Sequence, residues 1–89
     1  MKITYDPTKD AMNQEKHGVS LAAAASIDWT SAVTWADTRM DYHEDRMRGL
    51  GLIGNRVHAV VYVIRDQSRR VISLRKANHK EVMSYVNQA

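Results

Sequence analysis

The sequence predicts a small α+β domain with a mostly antiparallel β-sheet. Three observations lead to this prediction. Helix-type patterns lie near the two ends of the chain, strand-type patterns fill its middle, and short turns of the hairpin kind separate the strands. The sequence has no internal repeat, low-complexity tract or linker. We therefore predict one domain over residues 1–89, with two N-terminal helices, one C-terminal helix and the order β-α-α-β-β-β-β-α.

The chain opens with a short alternating segment, residues 2–5, which predicts a strand. Asp6 can accept hydrogen bonds from the first free N–H groups of a helix, and Pro7 suits the first helical position. Gly18 can adopt the left-handed conformation that ends a helix. The sequence therefore predicts a first helix that ends at residue 16 or 17.

A second helix and four strands are predicted next. Ser20 can cap a helix over residues 21–27, whose alanines allow a close approach to the sheet. The strands are predicted at residues 32–36, 45–53, 57–65 and 70–76. Gly49 and Gly51 in the second of these indicate a bulge or a close backbone approach. The third is apolar at nearly every position, as expected when both faces are covered.

The last element is predicted to be a helix that starts at Asn78. Asn78 and Glu81 have capping-box spacing, in which each side chain satisfies a backbone donor of the other residue. Val82, Tyr85 and Val86 would then lie on one apolar face.

Composition excludes several classes of protein. The absence of cysteine rules out disulfides, thiolate zinc sites and cysteine nucleophiles. No apolar run approaches the roughly 20 residues that cross a bilayer, and the charge and proline in residues 1–7 do not fit a signal peptide. We therefore expect a cytoplasmic protein. Since phenylalanine is also absent, Trp29 and Trp35 are predicted to be core residues, although an exposed tryptophan would instead mark a surface that binds a partner protein.

The net charge of +3 is unevenly distributed along the chain. Residues 1–45 carry four Lys/Arg and eight Asp/Glu, whereas residues 46–80 carry nine Lys/Arg and one Asp. A basic block in one part of a domain is typical of a partner that is a polyanion, although a solvated basic face has the same composition.

The residues available for chemistry are mainly arginine, lysine and histidine. Paired carboxylates, a glycine-rich phosphate loop and a G-x-S-x-G elbow are absent. Four histidines are scattered along the chain, so we expect no metal site: His17, His43, His58 and His79. This inventory suits metal-free RNA cleavage, which needs a base for the 2′-hydroxyl, cations for the developing phosphorane charge and an acid for the leaving oxygen. Composition alone does not distinguish RNA from DNA.

Two segments resemble a known family. The segment Lys16-His17-Gly18-Val19-Ser20 resembles the K-H-G-V/I signature of BrnT toxins, and Val71-Ile72-Ser73-Leu74-Arg75-Lys76-Ala77 resembles their closing I-I-S-x-R-x-A strand. Arg46 follows the acidic Asp45, as a strand arginine does in that family. Two further positions match residues common in the last helix: Glu81 and Tyr85.

The resemblance implies a RelE-like fold and a metal-independent ribonuclease that blocks translation without a cofactor. It also implies a cognate antitoxin, often with a ribbon-helix-helix domain, and a toxin–antitoxin complex that binds its operator DNA. The sequence departs from the family at Met47, where an aromatic residue is common, and in the short segment before Val57.

The resemblance and the alternation of the predicted strands together give candidate site residues. The candidate catalytic residues are His17, Lys16, Arg46 and Arg75. The candidate ligands of RNA phosphates are Arg48 and Lys76, with Glu81 and Tyr85 as supporting residues. Alternation along a strand places Arg46 and Arg48 on one face but Arg75 and Lys76 on opposite faces, so only one of the latter two can face a single site. We favour Arg75, which carries the family match.

Several of these residues also have structural explanations. Lys16 and His17 lie at a helix C-terminus, where cations are favoured, Glu81 fits a capping box, and Tyr85 fits an apolar helix face. Two other functions remain open. The protein could be a non-catalytic basic module that binds nucleic acid or an acidic protein, or mainly a co-repressor within an obligate complex.

Overall fold

The computed structural model describes residues 1–88. Its elements are β1 (Lys2–Thr4), α1 (Pro7–His17), a 3₁₀ helix (Leu21–Ser26), β2 (Val33–Ala36), β3 (Arg46–Ile53), β4 (Arg56–Arg65), β5 (Ser68–Lys76) and α2 (His79–Gln88). The strands form one sheet in the order β1-β5-β4-β3-β2. β1 runs parallel to β5, and the other pairs are antiparallel. The predicted α+β class, element order and mostly antiparallel sheet are confirmed.

The caps of α1 form as the sequence predicts. Asp6 Oδ1 accepts a hydrogen bond from the Thr8 N–H at 2.9 Å. Gly18 adopts a φ of 72° and donates its N–H to the carbonyl of Gln14. The Ser20 hydroxyl accepts from the Ala22 N–H, but the helix that it caps is a 3₁₀ helix.

Within residues 1–88, no helix is long and apolar enough to cross a membrane.

Side-chain hydrogen bonds fix α1 to the edge of β5. β1 pairs with β5 only over Ser68–Arg70, so the edge of β5 beyond that range lacks a strand partner in residues 1–88. The buried side chain of Asn13 fills part of this gap. Its amide donates to the carbonyl of Leu74 and accepts from the Leu74 N–H. This contact places the C-terminal end of α1 beside β5.

The first face of the sheet is covered mainly by the 3₁₀ helix, which contributes Leu21 and Ala24 to the core. The largest fully buried side chains lie here: Leu21, Leu74, Val60 and Val71. Val61 pairs with Ser73 but Tyr62 pairs with Val71, so β5 contains one extra residue, Ile72. This bulge interrupts the alternation of β5 and lets Val71 and Leu74 face the same core.

The predicted bulge at Gly49 or Gly51 does not occur, since β3 and β4 pair without interruption from Arg46↔Val63 to Ile53↔Arg56. The alternative prediction, a close backbone approach, is confirmed at Gly51. A Cβ atom there would lie 2.6 Å from Ile27 Cγ2 and 3.3 Å from Ala32 Cβ.

We therefore expect Gly51→Ala to lower the free energy of unfolding by about 1–3 kcal/mol through overpacking, as measured by urea denaturation. Gly49→Ala is the matched control on the same strand. The nearest atom to its Cβ would be Thr34 Cγ2 at 3.1 Å, so we expect a smaller loss in free energy of unfolding than for Gly51→Ala. Equal costs at the two positions would contradict the assignment of the close approach to Gly51.

The second face is only partly covered, by α2. The capping box forms, since the Asn78 N–H donates to Glu81 Oε1 and the Glu81 N–H donates to Asn78 Oδ1, both at 2.9 Å. α2 packs over a second core cluster that contains Leu50, Val57, Ala77 and Tyr85. Val82 and Tyr85 pack at this cluster, whereas Val86, which shares their helical face, is exposed.

The two tryptophans occupy different environments. Trp29 packs edge-on against Tyr62 with ring centroids 5.4 Å apart, and its Nε1 donates to the carbonyl of Ala24. Trp35 is 38% exposed, so its assignment to the core was wrong. The reason is that β2 is an edge strand of the sheet, a property that depends on strand order.

Candidate active site

The strand register aligns charged side chains on the open part of the second face. Residues paired directly across neighbouring strands share a face. Two such rows cross the sheet: Trp35, Arg48, Val61 and Ser73 in one, and Val33, Leu50, Ala59 and Arg75 in the next. Arg46 lies two residues before Arg48 on the unbulged β3 and therefore shares its face.

All of these residues except Val33 line a cavity of about 260 Å³, which we call the arginine cavity. The arginine cluster, defined as Arg46, Arg48 and Arg75, lines it. Between β3 and β5 the cavity is lined by the small apolar residues of β4, Ala59 and Val61. Because two strand spacings separate β3 from β5, or about 10 Å, their long guanidinium side chains can reach one bound anion from both sides.

Arg75 is held in place by Glu81. Its Nη1 donates to Glu81 Oε1 at 2.7 Å and its Nη2 to Oε2 at 3.0 Å, which is a bidentate pair. These hydrogen bonds lower the pKa of Glu81 despite its partial burial, with a further contribution from the Asn78 N–H, and they raise the pKa of Arg75. Glu81 is therefore ionised at neutral pH, and it positions Arg75.

The other two arginines of the cluster are less firmly paired. The Arg46 guanidinium stacks on Tyr42 at 3.8 Å, and its nearest carboxylate oxygen, on Glu44, is 3.7 Å away. The buried Nε of Arg46 has no hydrogen-bond partner among residues 1–88. Arg48 lies 5.4 Å from the centre of the Trp35 ring and forms no ion pair within the described chain. Both guanidinium groups can therefore bind an anion in the cavity.

A fourth arginine, Arg39, also lines the cavity, although the sequence analysis did not select it. Asp37 accepts bonds from Arg39 Nε at 2.8 Å and Nη2 at 2.7 Å. These bonds hold the pKa of the Asp37 carboxyl, whose side chain is fully buried, well below its usual range. The sequence signal was the Asp37-Thr38-Arg39 spacing directly after β2, which only the fold connects to the cavity.

Comparison with known proteins identifies the family. The family model described as "Ribonuclease toxin, BrnT, of type II toxin-antitoxin system" matches residues 5–81. The chain belongs to the BrnT family of ribonuclease toxins. As a toxin of a type II system, a BrnT protein has a cognate antitoxin.

A solved BrnT structure has the same fold. The crystal structure of the Brucella abortus ribonuclease toxin BrnT matches with a TM-score of 0.71 and 26% sequence identity. The alignment covers 89% of this chain and 99% of the Brucella chain. A search of curated proteins found no match.

The structure separates the other residues that the BrnT resemblance implied from the arginine cavity. Lys16 and His17 line a second groove, between α1 and β5, which shares Ile72 and Ser73 with the arginine cavity. Burial lowers the pKa of His17, and the charges of Lys16 and Arg75 lower it further. His17 is therefore mostly neutral at pH 7.

Lys76 and Tyr85 do not line the arginine cavity either. Lys76 pairs with His58 on β4, one position beyond Arg75, and is directed to the opposite face as alternation predicted. Tyr85 is buried in the core beneath α2, where its hydroxyl is 3.4 Å from the carbonyl of Ser31. Of the candidate site residues selected from the sequence, the cavity brings together Arg46, Arg48, Arg75 and Glu81.

The Arg75–Glu81 pair predicts a pH dependence of stability. The pKa of Glu81 is lower in the fold than its ordinary value of 4.5. Its stabilising contribution is therefore complete above about pH 4.5 and is lost as the pH falls through the folded-state pKa. In urea titrations we measure the free energy of unfolding of wild type and of Glu81→Gln. We expect the difference between these two free energies to become smaller as the pH falls from about 6 to about 3. A constant difference over this range would contradict the pairing.

Proposed function

We propose that the protein is a metal-independent endoribonuclease that cleaves RNA in the cytoplasm and thereby inhibits translation and growth. The observation that carries this proposal is the convergence of the arginine cluster on one cavity of a BrnT fold. Three guanidinium groups can stabilise the negative charge that develops on a phosphorane. In many nucleases, metal ions stabilise this charge.

The proposed reaction is a transesterification within the RNA strand. The 2′-oxygen forms a bond to phosphorus and the bond from phosphorus to the 5′-oxygen breaks, giving a 2′,3′-cyclic phosphate and a 5′-hydroxyl end. The proton of the 2′-hydroxyl passes to a base, and the 5′-oxygen receives a proton from an acid. Arg46, Arg48 and Arg75 hold the phosphate, and Glu81 fixes the fork of Arg75.

His17 and Lys16 are proposed to assist the proton transfers from the neighbouring groove. A histidine with a lowered pKa is neutral at pH 7 and can accept a proton. The RNA would have to cross β5 at Ile72 and Ser73 to contact both groups, because these two residues line both cavities.

The cognate antitoxin is proposed to contain a ribbon-helix-helix domain and to neutralise the toxin by binding it. The toxin–antitoxin complex is then proposed to bind its operator DNA through that domain. This part of the proposal rests on the family resemblance.

One observation favours a second function, a non-catalytic binding module. The only carboxylate lining the arginine cavity within residues 1–88, that of Glu81, is committed to Arg75 and Asn78, and His17 lies outside this cavity. Such a module would bind RNA with an affinity that falls steeply with salt, and it would release no products.

Purified protein is incubated with mRNA alone, with and without EDTA, and separately with ribosome-bound mRNA in a buffer that contains Mg²⁺. These incubations separate the two functions. The proposal expects cleavage that is unaffected by EDTA and fragments with 5′-hydroxyl and cyclic phosphate ends. Induced expression in bacteria is expected to arrest growth together with new mRNA 5′ ends. Intact mRNA in every condition, with folded protein present, would refute the ribonuclease and leave the binding module.

A further inference from the structure

Trp35 belongs to neither of the two core clusters within residues 1–88. The residue is 38% exposed on the edge strand β2, and it lines the arginine cavity. Trp29, by contrast, packs on Tyr62 and uses its N–H in a hydrogen bond. A partly exposed indole in a cavity lined by four arginines is a feature that a folded core does not require.

The neighbours of Trp35 are cations of the kind that can bind the phosphate of a nucleotide. Arg48 pairs with Trp35 across the strands, and its guanidinium carbon lies 5.4 Å from the ring centre. Arg39 lines the same cavity, and its guanidinium is fixed by the buried carboxylate of Asp37 although its side chain is 55% exposed. An aromatic platform flanked by two cations combines the two components of single-strand recognition, base stacking and backbone neutralisation.

We propose that Trp35 forms a base-binding subsite beside the arginine cluster. Its ligand is an unpaired base of single-stranded RNA, next to the phosphate that the cluster holds. Arg39 contacts the phosphate of the stacked nucleotide. This inference rests on the proposed function, because it assumes that the arginine cavity binds RNA.

The subsite makes the protein prefer single-stranded to double-stranded RNA, with little preference for base sequence. Every base has a π-face, so a tryptophan platform accepts any of them, whereas a base inside a duplex is already stacked on both sides. A single-stranded oligonucleotide is therefore expected to bind, and the same oligonucleotide annealed to its complement is expected to bind much more weakly.

The test measures binding of a fluorescein-labelled, 2′-O-methylated single-stranded oligonucleotide by anisotropy. This probe cannot be cleaved through its 2′-oxygen, so the measurement does not depend on catalysis. Trp35→Ala is expected to weaken binding by about 10- to 100-fold, as for the loss of one base–aromatic stack. Trp35→Tyr is expected to keep most of the affinity. Met83→Ala, at an exposed position of α2 outside the cavity, is the control and is expected to bind as wild type does.

A cycle with abasic probes assigns the loss to stacking. Moving one abasic site along the oligonucleotide is expected to reveal a position at which wild type loses the same factor as Trp35→Ala. Combining that probe with Trp35→Ala is then expected to cause no further loss. A purely structural role would make the two losses additive and overturn the subsite. Circular dichroism of each variant checks that it is folded.

The remaining outcomes separate this inference from the proposed function. Trp35-dependent binding together with intact natural RNA would refute the ribonuclease and support the subsite. Cleavage of natural RNA with equal probe affinity for wild type and Trp35→Ala would support the ribonuclease and overturn the subsite. Equal probe affinity combined with lost antitoxin binding would instead assign Trp35 to a protein interface.

Discussion

Arg75→Ala is expected to lower the rate of RNA cleavage by about 100- to 1,000-fold. This is the usual effect of removing one oriented hydrogen-bond donor that stabilises a developing oxyanion. Arg75 combines the features that such a donor needs, since it lies in the cavity and its guanidinium is already oriented by Glu81. The measurement is the single-turnover rate with enzyme in excess over RNA. Growth arrest on expression is expected to disappear with the activity.

Two further variants make this prediction specific. Arg75→Lys keeps the charge but loses the planar fork, so we expect it to recover only a small part of the lost rate. Arg56→Ala removes an arginine of β4 that does not line the cavity, and its rate is expected to stay near that of wild type. If Arg75→Ala cleaves RNA as fast as Arg56→Ala does, Arg75 is not part of the active site.

The stability of Arg75→Ala separates a local effect from unfolding. The Arg75 side chain is partly exposed, and Glu81 Oε1 keeps its bond from the Asn78 N–H after the arginine is removed. We therefore expect a loss of no more than about 1–2 kcal/mol in free energy of unfolding. A larger loss would mean that the pair mainly supports the start of α2.

Local signals in the sequence predicted the elements well, because each signal acts within a few residues. The caps at Asp6, Ser20 and Asn78 all form, and alternation placed Arg46 with Arg48 and separated Arg75 from Lys76. In the same way, the close approach at Gly51 was anticipated from the residue type.

Features that depend on long-range pairing were not predictable from these signals. The extra residue Ile72 shifts the phase of β5, and strand order alone makes β2 an edge that exposes Trp35. Arg39 contacts its carboxylate locally, but only the fold brings it to the cavity. Nothing near Asn13 in the sequence indicates that its partner is Leu74, because 61 residues separate them.

The largest effect on stability is expected at Asn13, because its side chain replaces a strand at the edge of β5. The Nδ2 group donates to the carbonyls of Val19 and Leu74, both at 2.8 Å, and Oδ1 accepts from the Leu74 N–H at 3.2 Å. Asn13→Leu leaves these backbone groups without partners in a buried site, where each unsatisfied group costs about 1–3 kcal/mol. Partial relaxation leaves an expected loss on the order of 3 kcal/mol in urea denaturation, a large share of the roughly 5–15 kcal/mol of a typical domain.

Asn13→Asp tests the direction of each hydrogen bond at nearly constant shape. A carboxylate can still accept from the Leu74 N–H, but it cannot donate, and it faces two carbonyl oxygens. Its pKa in the fold must therefore exceed the value of about 3.9 in the unfolded chain, so the stability of this variant falls as the pH rises through that interval. Wild type lacks this trend at Asn13, because an amide does not titrate. If Asn13→Leu were as stable as wild type, or if Asn13→Asp did not regain stability in acid, the edge of β5 would not depend on the Asn13 amide.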